Sequence, residues 1–305
     1  METKKAYVKY ILSLLLFGTN GVVASRIALS SYEIVLTRSF LGAILLAAVF
    51  LLSRRRGRGE STVAEAEIGR ETEPMIGRAT GARARRSLLF VAVSGVTMGF
   101  SWILLYEAYA TVGVSIATLI YYVGPVLVLA LAPLVFRERL AAMRLVGFAA
   151  VLAGMYLVNM RELTAGGMSW GLLSAVLAAA TYAVMVVFNK KATGITGLEN
   201  SMWQLVFAFC TVAIFTFAKQ GVMLEIDARS VPWILVLGAN TGLGCYLYFS
   251  AMVRLPAQSV AICGYLEPVA AVGFAAVFLR EQLAPLQVAG MVLIIGGAVF
   301  AERRG

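Results

Sequence analysis

The chain alternates between long apolar runs and short polar punctuation. A bilayer-spanning helix needs about 20 mostly apolar residues, and ten stretches meet that pattern: 10–29, 33–52, 88–106, 113–135, 143–160, 169–189, 201–219, 231–251, 257–279 and 286–301. Most connections between them are brief. The exception is 53–87, "SRRRGRGESTVAEAEIGRETEPMIGRATGARARRS", rich in Gly, Arg and Glu. It holds too few apolar residues to order itself, so a mobile loop is expected there. The pattern predicts an all-α integral membrane protein of ten transmembrane helices.

Composition agrees with the pattern. Of 305 residues, 60% are hydrophobic and 14% charged, with a mean hydropathy of +0.85. Histidine is absent, which removes imidazole metal sites and histidine proton relays. Cys210, Cys245 and Cys263 lie inside apolar runs with no C-x-x-C pair and read as small packing residues. No phosphate loop, dinucleotide motif or nucleophile constellation is present. An enzyme is not expected, nor a cofactor or a bound metal.

The formal charge of +10 invites a nucleic-acid reading. Its distribution points elsewhere, because the Lys and Arg residues fall between the apolar runs. With a cytoplasmic N-terminus, 20 of the 26 basic residues lie in inside segments and six outside or within spans. That asymmetry is the positive-inside pattern, and it places both termini in the cytoplasm. The partners implied are a lipid bilayer and a small molecule, and not nucleic acid. The 53–87 arginines could also touch anionic lipid head groups. The first span follows Lys4, Lys5 and Lys9 and resembles a signal peptide, with "VVAS" at 22–25 as a weak cleavage site. Its length, and the repeat described next, favour an uncleaved helix.

The stretch "YYVGPVLVLALAPLVFRERL" (121–140) aligns without a gap on "YLEPVAAVGFAAVFLREQL" (265–283). Pro125 matches Pro268 at an offset of 143, and the same offset pairs Gly99 with Gly242, Tyr122 with Tyr265, Arg137 with Arg280, Glu138 with Glu281, Gly147 with Gly290, and Gly154 with Gly297. Upstream, "SLLLFGTNGVVASR" (13–26) best matches "SAVLAAATYAVMVV" (174–187), at an offset of about 161, the excess being the long loop. The chain therefore reads as two five-helix repeats, 1–160 and 161–305. Five is odd, so the second repeat enters the membrane from the opposite side. Inverted repeats recur in secondary transporters, with the substrate site near the midplane between the halves.

The pattern Pro125…Arg137-Glu138-Arg139-Leu140…Gly147…Gly154, and its second copy Tyr265-Leu266-Glu267-Pro268-Val269…Glu281-Gln282-Leu283…Gln287…Gly290…Gly297, resemble the signature of EamA-type members of the drug/metabolite transporter superfamily. "EIVLTRSFLGAILLA" (33–47) resembles that family's second helix with its arginine, here Arg38. The resemblance covers all but the long loop. It implies ten helices around a central cavity, a bacterial inner-membrane location, and export or exchange of small metabolites by alternating access. The chain departs from the family at Phe17, where many members have tryptophan, and at the matching Ala179.

Glu267 is the leading candidate. A helix entering at Ala257 carries it roughly 15 Å deep, near the centre of the hydrocarbon core. A carboxylate there is costly unless neutral, paired or wet. Pro268 provides no amide for the Gly264 carbonyl. Glu267 could tie helices together, bind a substrate ammonium, or exchange a coupling proton. Its counterpart Gly124 offers space and backbone access.

Arg38 lies several residues into the second span. It could snorkel outward, bind an anionic group, or reach toward Glu267. Met98, Trp102 and Tyr106 share one helix face, with Thr241, Cys245 and Phe249 as counterparts and Tyr246 and Tyr248 close by. Trp102 and Tyr106 are read as cavity aromatics, with Tyr121, Tyr122 and Tyr265 of the same status. Asn20, and Tyr182 near its match, could contact the cavity or bond across a helix interface. The paired glycines read as packing contacts, and Glu138 and Glu281 as local ion pairs and helix caps. Amino acids or amines are the expected cargo, because a carboxylate, aromatics and one deep arginine suit an ammonium or a zwitterion. The rival reading is a lipid-handling or structural membrane protein without a solute pathway. A monomer and a homodimer are equally compatible with the sequence.

Overall fold

The structure, a computed structural model, describes residues 2–59, 81–112, 117, 120–138, 142–159, 170–195, 197–221, 225–280 and 284–304. All regular structure among them is helical. The helices are α1 (Glu2–Ala24), α2 (Ser31–Gly59), α3 (Gly81–Val112), α4 (Val123–Phe136), α5 (Ala142–Asn159), α6 (Trp170–Lys191), α7 (Gly197–Gln220), α8 (Val231–Met252), α9 (Ala257–Gly264), α10 (Leu266–Phe278) and α11 (Pro285–Arg304). Seven stretches among the described residues are long and apolar enough to cross a membrane, one of them formed by α9 and α10 together. Three shorter apolar helices accompany them: Val123–Phe136, Leu145–Leu157 and Pro285–Ala301.

The helices overrun the apolar stretches. α1 begins at Glu2 and ends at Ala24, although the hydrophobic pattern marks 10–29. α2 continues to Gly59 and α3 starts at Gly81, so the expected 53–87 loop is helical at both flanks. Helical hydrogen bonds do not require lipid, and Arg and Ala are good helix formers, so a helix can continue past its apolar run. The centre of that loop, 60–80, lies outside the described residues, as do Arg139, Leu140 and Glu281–Leu283.

Proline breaks one long span. Pro268 lacks an N–H, and its ring crowds the carbonyl four residues back, at Gly264. α9 ends at Gly264 and α10 begins at Leu266, with Tyr265 between them. Tyr122 precedes α4 in the same relation to Pro125. The backbone angles of the two tyrosines nearly coincide: φ −71°, ψ 1° at Tyr122 and φ −70°, ψ −6° at Tyr265. The two meet in space, where the Tyr265 hydroxyl donates to the Tyr122 carbonyl at 2.6 Å and the ring centroids are 5.8 Å apart.

Packing follows the small residues. α5 lies along α11, α3 packs on α6 and α7, and α8 packs on α1 and α2. α10 packs on α1, and α4 on α6. Where α5 crosses α11 the backbones nearly touch: a Cβ added at Gly147 would stand 2.6 Å from the Gly297 oxygen, and one at Gly154 would stand 2.6 Å from the Gly290 oxygen. Elsewhere a buried amide network joins α3, α6 and α7. Asn189 and Asn200 exchange hydrogen bonds at 3.2 Å, Asn189 also donates to Gln204, and Gln204 donates to Ser94 at 2.9 Å. Each polar partner is satisfied, so the network ties helices together without leaving a ligand site.

Candidate functional site

The break in the α9–α10 span sets Glu267 beside a small cavity of about 20 Å³, room for about one water. Its wall contains Glu267 and Gly264 from the broken span, Tyr121, Tyr122 and Pro125 from the counterpart segment, and Tyr182 from α6. Tyr10 and Leu14 of α1 and Tyr248 of α8 complete it. Five tyrosines therefore surround one carboxylate.

The tyrosines form a connected wall. Ring centroids are 5.1 Å apart for Tyr10 and Tyr248, 5.6 Å for Tyr121 and Tyr182, and 5.8 Å for Tyr121 and Tyr122. The hydroxyls of Tyr182 and Tyr248 share a hydrogen bond at 3.1 Å. The Tyr10 hydroxyl donates to the Val260 carbonyl at 2.9 Å, which fixes α1 against α9. Gly124 makes one of these placements possible, because a Cβ there would lie 2.7 Å from the Tyr182 ring. The glycine opposite Glu267 in the repeat thus admits an aromatic wall residue.

Glu267 forms no hydrogen bond or ion pair among the described residues. Arg38 acts on it electrostatically without reaching ion-pair contact. The Arg38 guanidinium instead lies over Trp102, 4.5 Å from the ring centroid, and its buried Nε has no hydrogen-bond partner. Asn20 is similar: its Oδ1 is buried without a partner, while neighbouring Thr19 accepts from Asn240 at 2.7 Å. Buried polar atoms are nearly always paired, so an orphan marks a place where water or a ligand can supply the missing bond.

The cavity wall gathers Glu267, Tyr121, Tyr122 and Tyr182 from the expected residues, with Gly124 directly behind Tyr182. Trp102, Tyr106, Tyr265, Asn20, Arg38 and Cys245 are not part of that wall. Trp102 serves as a platform for Arg38, and Tyr106 packs edge-on to Tyr109 at 5.2 Å. Tyr265 and Cys245 are buried in the core. Sequence reasoning did not find Tyr10 or Leu14. Both sit in the part of α1 that the lysine-rich flank made look like a membrane-entry segment. The signal was present, since Tyr10 and Leu14 are spaced to share one helix face.

One end of the bundle is fastened by charge. Arg137 terminates α4 in the left-handed region, at φ 57°, and its amide and that of Glu138 both return to the Ala132 carbonyl. Arg280, its counterpart, has φ 58°. Such a turn closes a helix C-terminus and aims the next side chain away from it. The Glu138 carboxylate consequently accepts from the amides of Ala257 at 2.8 Å and Gln258 at 3.2 Å, the first residues of α9. The expected cap is thus present, on a distant helix, and among the described residues no ion pair accompanies it. Beside it, Lys190 of α6 donates to the Met252 and Leu255 carbonyls at the end of α8 and lies 5.5 Å from the Phe136 ring centroid. Loss of the cap in Glu138→Ala is expected to lower unfolding free energy by about 1–2 kcal/mol. Chemical unfolding of the purified protein tests this, and wild-type stability in the variant would contradict the capping role.

At the opposite end Lys219 pairs with Glu107 and also donates to the Tyr32 hydroxyl at 3.0 Å. This pair joins the ends of α3 and α7 to the start of α2.

Several spans, a polar centre and unpaired charged groups between helices define a multi-span membrane protein with an interior polar site. Its profile matches the EamA-like transporter family over residues 4–160 and 169–302, and the chain belongs to that family. It is 23% identical over 97% of its length to "Uncharacterized transporter YxxF" of Bacillus subtilis, covering 89% of that protein. It is 28% identical to "Probable amino-acid metabolite efflux pump" of Salmonella typhimurium, over 60% of this chain and 65% of that one. It is 31% identical to "Pseudopaline exporter CntI" of Pseudomonas aeruginosa, over 41% of this chain and 43% of that one. A solved crystal structure superimposes with a TM-score of 0.76 at 17% identity, covering 97% of this chain and 98% of the other, so the two share a fold. Family and relatives alike indicate a transporter rather than an enzyme.

Proposed function

We propose that the protein is a secondary transporter that carries amino acids or amines across a bacterial inner membrane by alternating access. In this reading ten spans form two inverted five-helix repeats, both termini are cytoplasmic, and the substrate binds between the repeats at Glu267. The observation that carries it is an unpaired carboxylate in the wall of an interior cavity built by both halves of the chain. Ionised groups within a bilayer are expensive and mark substrate or ion pathways. Relatives named as an efflux pump and an exporter support the same reading.

The two-repeat arrangement is supported by the packing pairs. If α1, α2 and α3 are exchanged with α6, α7 and α8, and α4 and α5 with α10 and α11, the contact of α3 with α6 becomes that of α8 with α1. In the same exchange α3 with α7 becomes α8 with α2, and α1 with α10 becomes α6 with α4. Tyr122 and Tyr265, 143 positions apart, touch at the centre of this arrangement. A site between two equivalent halves can open to either face by relative rocking of those halves. At about 20 Å³ the cavity is too small for an amino acid, so this conformation is read as an occluded one.

Reconstitution into proteoliposomes with an amino-acid and amine panel tests the reading. Saturable flux of at least one cationic or zwitterionic solute is expected. Flux equal to that of empty liposomes, with the reconstituted protein shown to be folded, would reject it.

A further inference from the structure

Tyr122 and Tyr265 stand three residues before Pro125 and Pro268. Each immediately precedes a helix, and their backbone angles nearly coincide. Sequence and backbone therefore treat the two tyrosines alike. Their side chains differ. The Tyr265 hydroxyl donates to the Tyr122 carbonyl at 2.6 Å. The Tyr122 hydroxyl makes no hydrogen bond among the described residues, so nothing returns from it to the Tyr265 carbonyl. Tyr265 is fully buried, with its ring 6.0 Å from that of Phe148, and it lies outside the cavity wall. Tyr122 lies in that wall with Glu267. Two equivalent positions thus hold their side chains in two different ways.

A one-way bond between equivalent residues has an exchanged alternative built from the same groups. The operation that superposes one repeat on the other turns a Tyr265 hydroxyl on the Tyr122 carbonyl into a Tyr122 hydroxyl on the Tyr265 carbonyl. In a transporter of inverted repeats, exchanging the conformations of the halves converts a state facing one side into a state facing the other. We propose that the Tyr122–Tyr265 contact is a two-position switch: the bond seen here holds one facing state, and its exchanged partner holds the opposite one. The inference rests on the two-repeat transport reading above and adds the residues that bias its two states. In the exchanged state Tyr265 enters the cavity wall and Tyr122 withdraws into the core. Each state keeps one buried hydroxyl–carbonyl bond, so neither gains a hydrogen bond over the other, and passage between them breaks the bond in place.

A Leu14→Cys reporter, in a chain with Cys210, Cys245 and Cys263 replaced by alanine, tests the switch. The quantity read is the ratio of its labelling rates from the two faces of oriented vesicles, with a membrane-impermeant thiol reagent. That ratio does not depend on how much protein each membrane holds. Tyr265→Phe keeps the ring and removes the bond of the present state. Tyr122→Phe keeps the ring and removes the bond of the exchanged state. The two variants are expected to shift the ratio by about threefold or more in opposite directions, the size set by losing one buried hydrogen bond. The double variant weakens both states alike and should return the ratio to near that of the reporter alone. Shifts in the same direction, an unchanged ratio in either single variant, or a double variant displaced as far as a single one overturns the inference. If the reporter is labelled from both faces when one of these results is found, the transport reading stands and the switch alone falls. A reporter labelled from one face only contradicts the transport reading, and the switch with it.

Discussion

Glu267→Gln is expected to weaken binding of a cationic substrate by about 30-fold or more, a loss of about 2 kcal/mol or greater. The change is nearly isosteric, so the helices should pack as before. What disappears is the one acidic side chain in the cavity wall. A substrate ammonium leaving water for this site gives up its hydration, and only an opposite charge close by restores enough of that energy. Glutamine offers a dipole in its place. Because Arg38 already acts on the site from the side of α2, removing the carboxylate leaves a net positive field that repels a cation. The expected kinetic signature is a steep rise in KM for a cationic substrate.

Two other outcomes would be informative. If Glu267 is instead a structural tie, Glu267→Gln should lower the unfolding temperature while the remaining folded protein keeps its KM. If the carboxylate exchanges a coupling proton, accumulation against a gradient should vanish while exchange persists. Tracer exchange and gradient-driven uptake, measured on the same preparation, separate the three. Unchanged KM and unchanged accumulation together would remove Glu267 from the mechanism.

Gly297→Ala is expected to destabilise the fold by about 1–3 kcal/mol, lowering the unfolding temperature by roughly 5 °C. The reason is local and geometric. A Cβ at this position meets the Gly147 oxygen at 2.6 Å, the Ala150 Cβ at 3.1 Å and a Val151 methyl at 3.1 Å. The oxygen belongs to the backbone, so no rotamer change can relieve the contact. α5 and α11 would have to separate along their length. The adjacent glycine is a natural control. A Cβ at Gly296 meets nothing within 4 Å, and alanine is the better helix former by about 1 kcal/mol. Gly296→Ala should therefore unfold at or slightly above the wild-type temperature. Thermal unfolding of the two variants in one detergent makes the comparison. Equal stabilities would show that the close approach of α5 and α11 does not govern packing.

The parts of this molecule that obey local rules could be read from the chain. Runs of apolar residues marked the helices, and the shared spacing of Tyr122 to Pro125 and Tyr265 to Pro268 marked two tyrosines that each immediately precede a helix. The proline before which α9 stops was also visible, since a residue without an N–H weakens the helix wherever it falls. Other features depend on which helices become neighbours. Glu138 follows Arg137 in sequence, which suggests a local ion pair and a helix cap but does not say which helix is capped. The left-handed turn at Arg137 carries the carboxylate instead to an amide pair more than a hundred positions away. Trp102 has the composition of a cavity residue, yet the cation that packs on it comes from α2. Tyr10 shows the opposite case: a residue at the very start of the first apolar stretch, given no role by the pattern, lies fully buried against α9. Hydrophobic periodicity states which face of a helix is covered, and it does not state what covers it.

In the proposed transport cycle the cavity around Glu267 opens to each side of the membrane in turn. Leu14 lies in its wall and is nearly fully buried. A Leu14→Cys variant, with Cys210, Cys245 and Cys263 replaced by alanine, places one thiol there. Oriented membrane vesicles are then treated from one face at a time with a membrane-impermeant thiol reagent. Labelling from both faces is expected, with reaction from either face blocking later reaction from the other. Labelling from one face only, or from neither in folded protein, would contradict it.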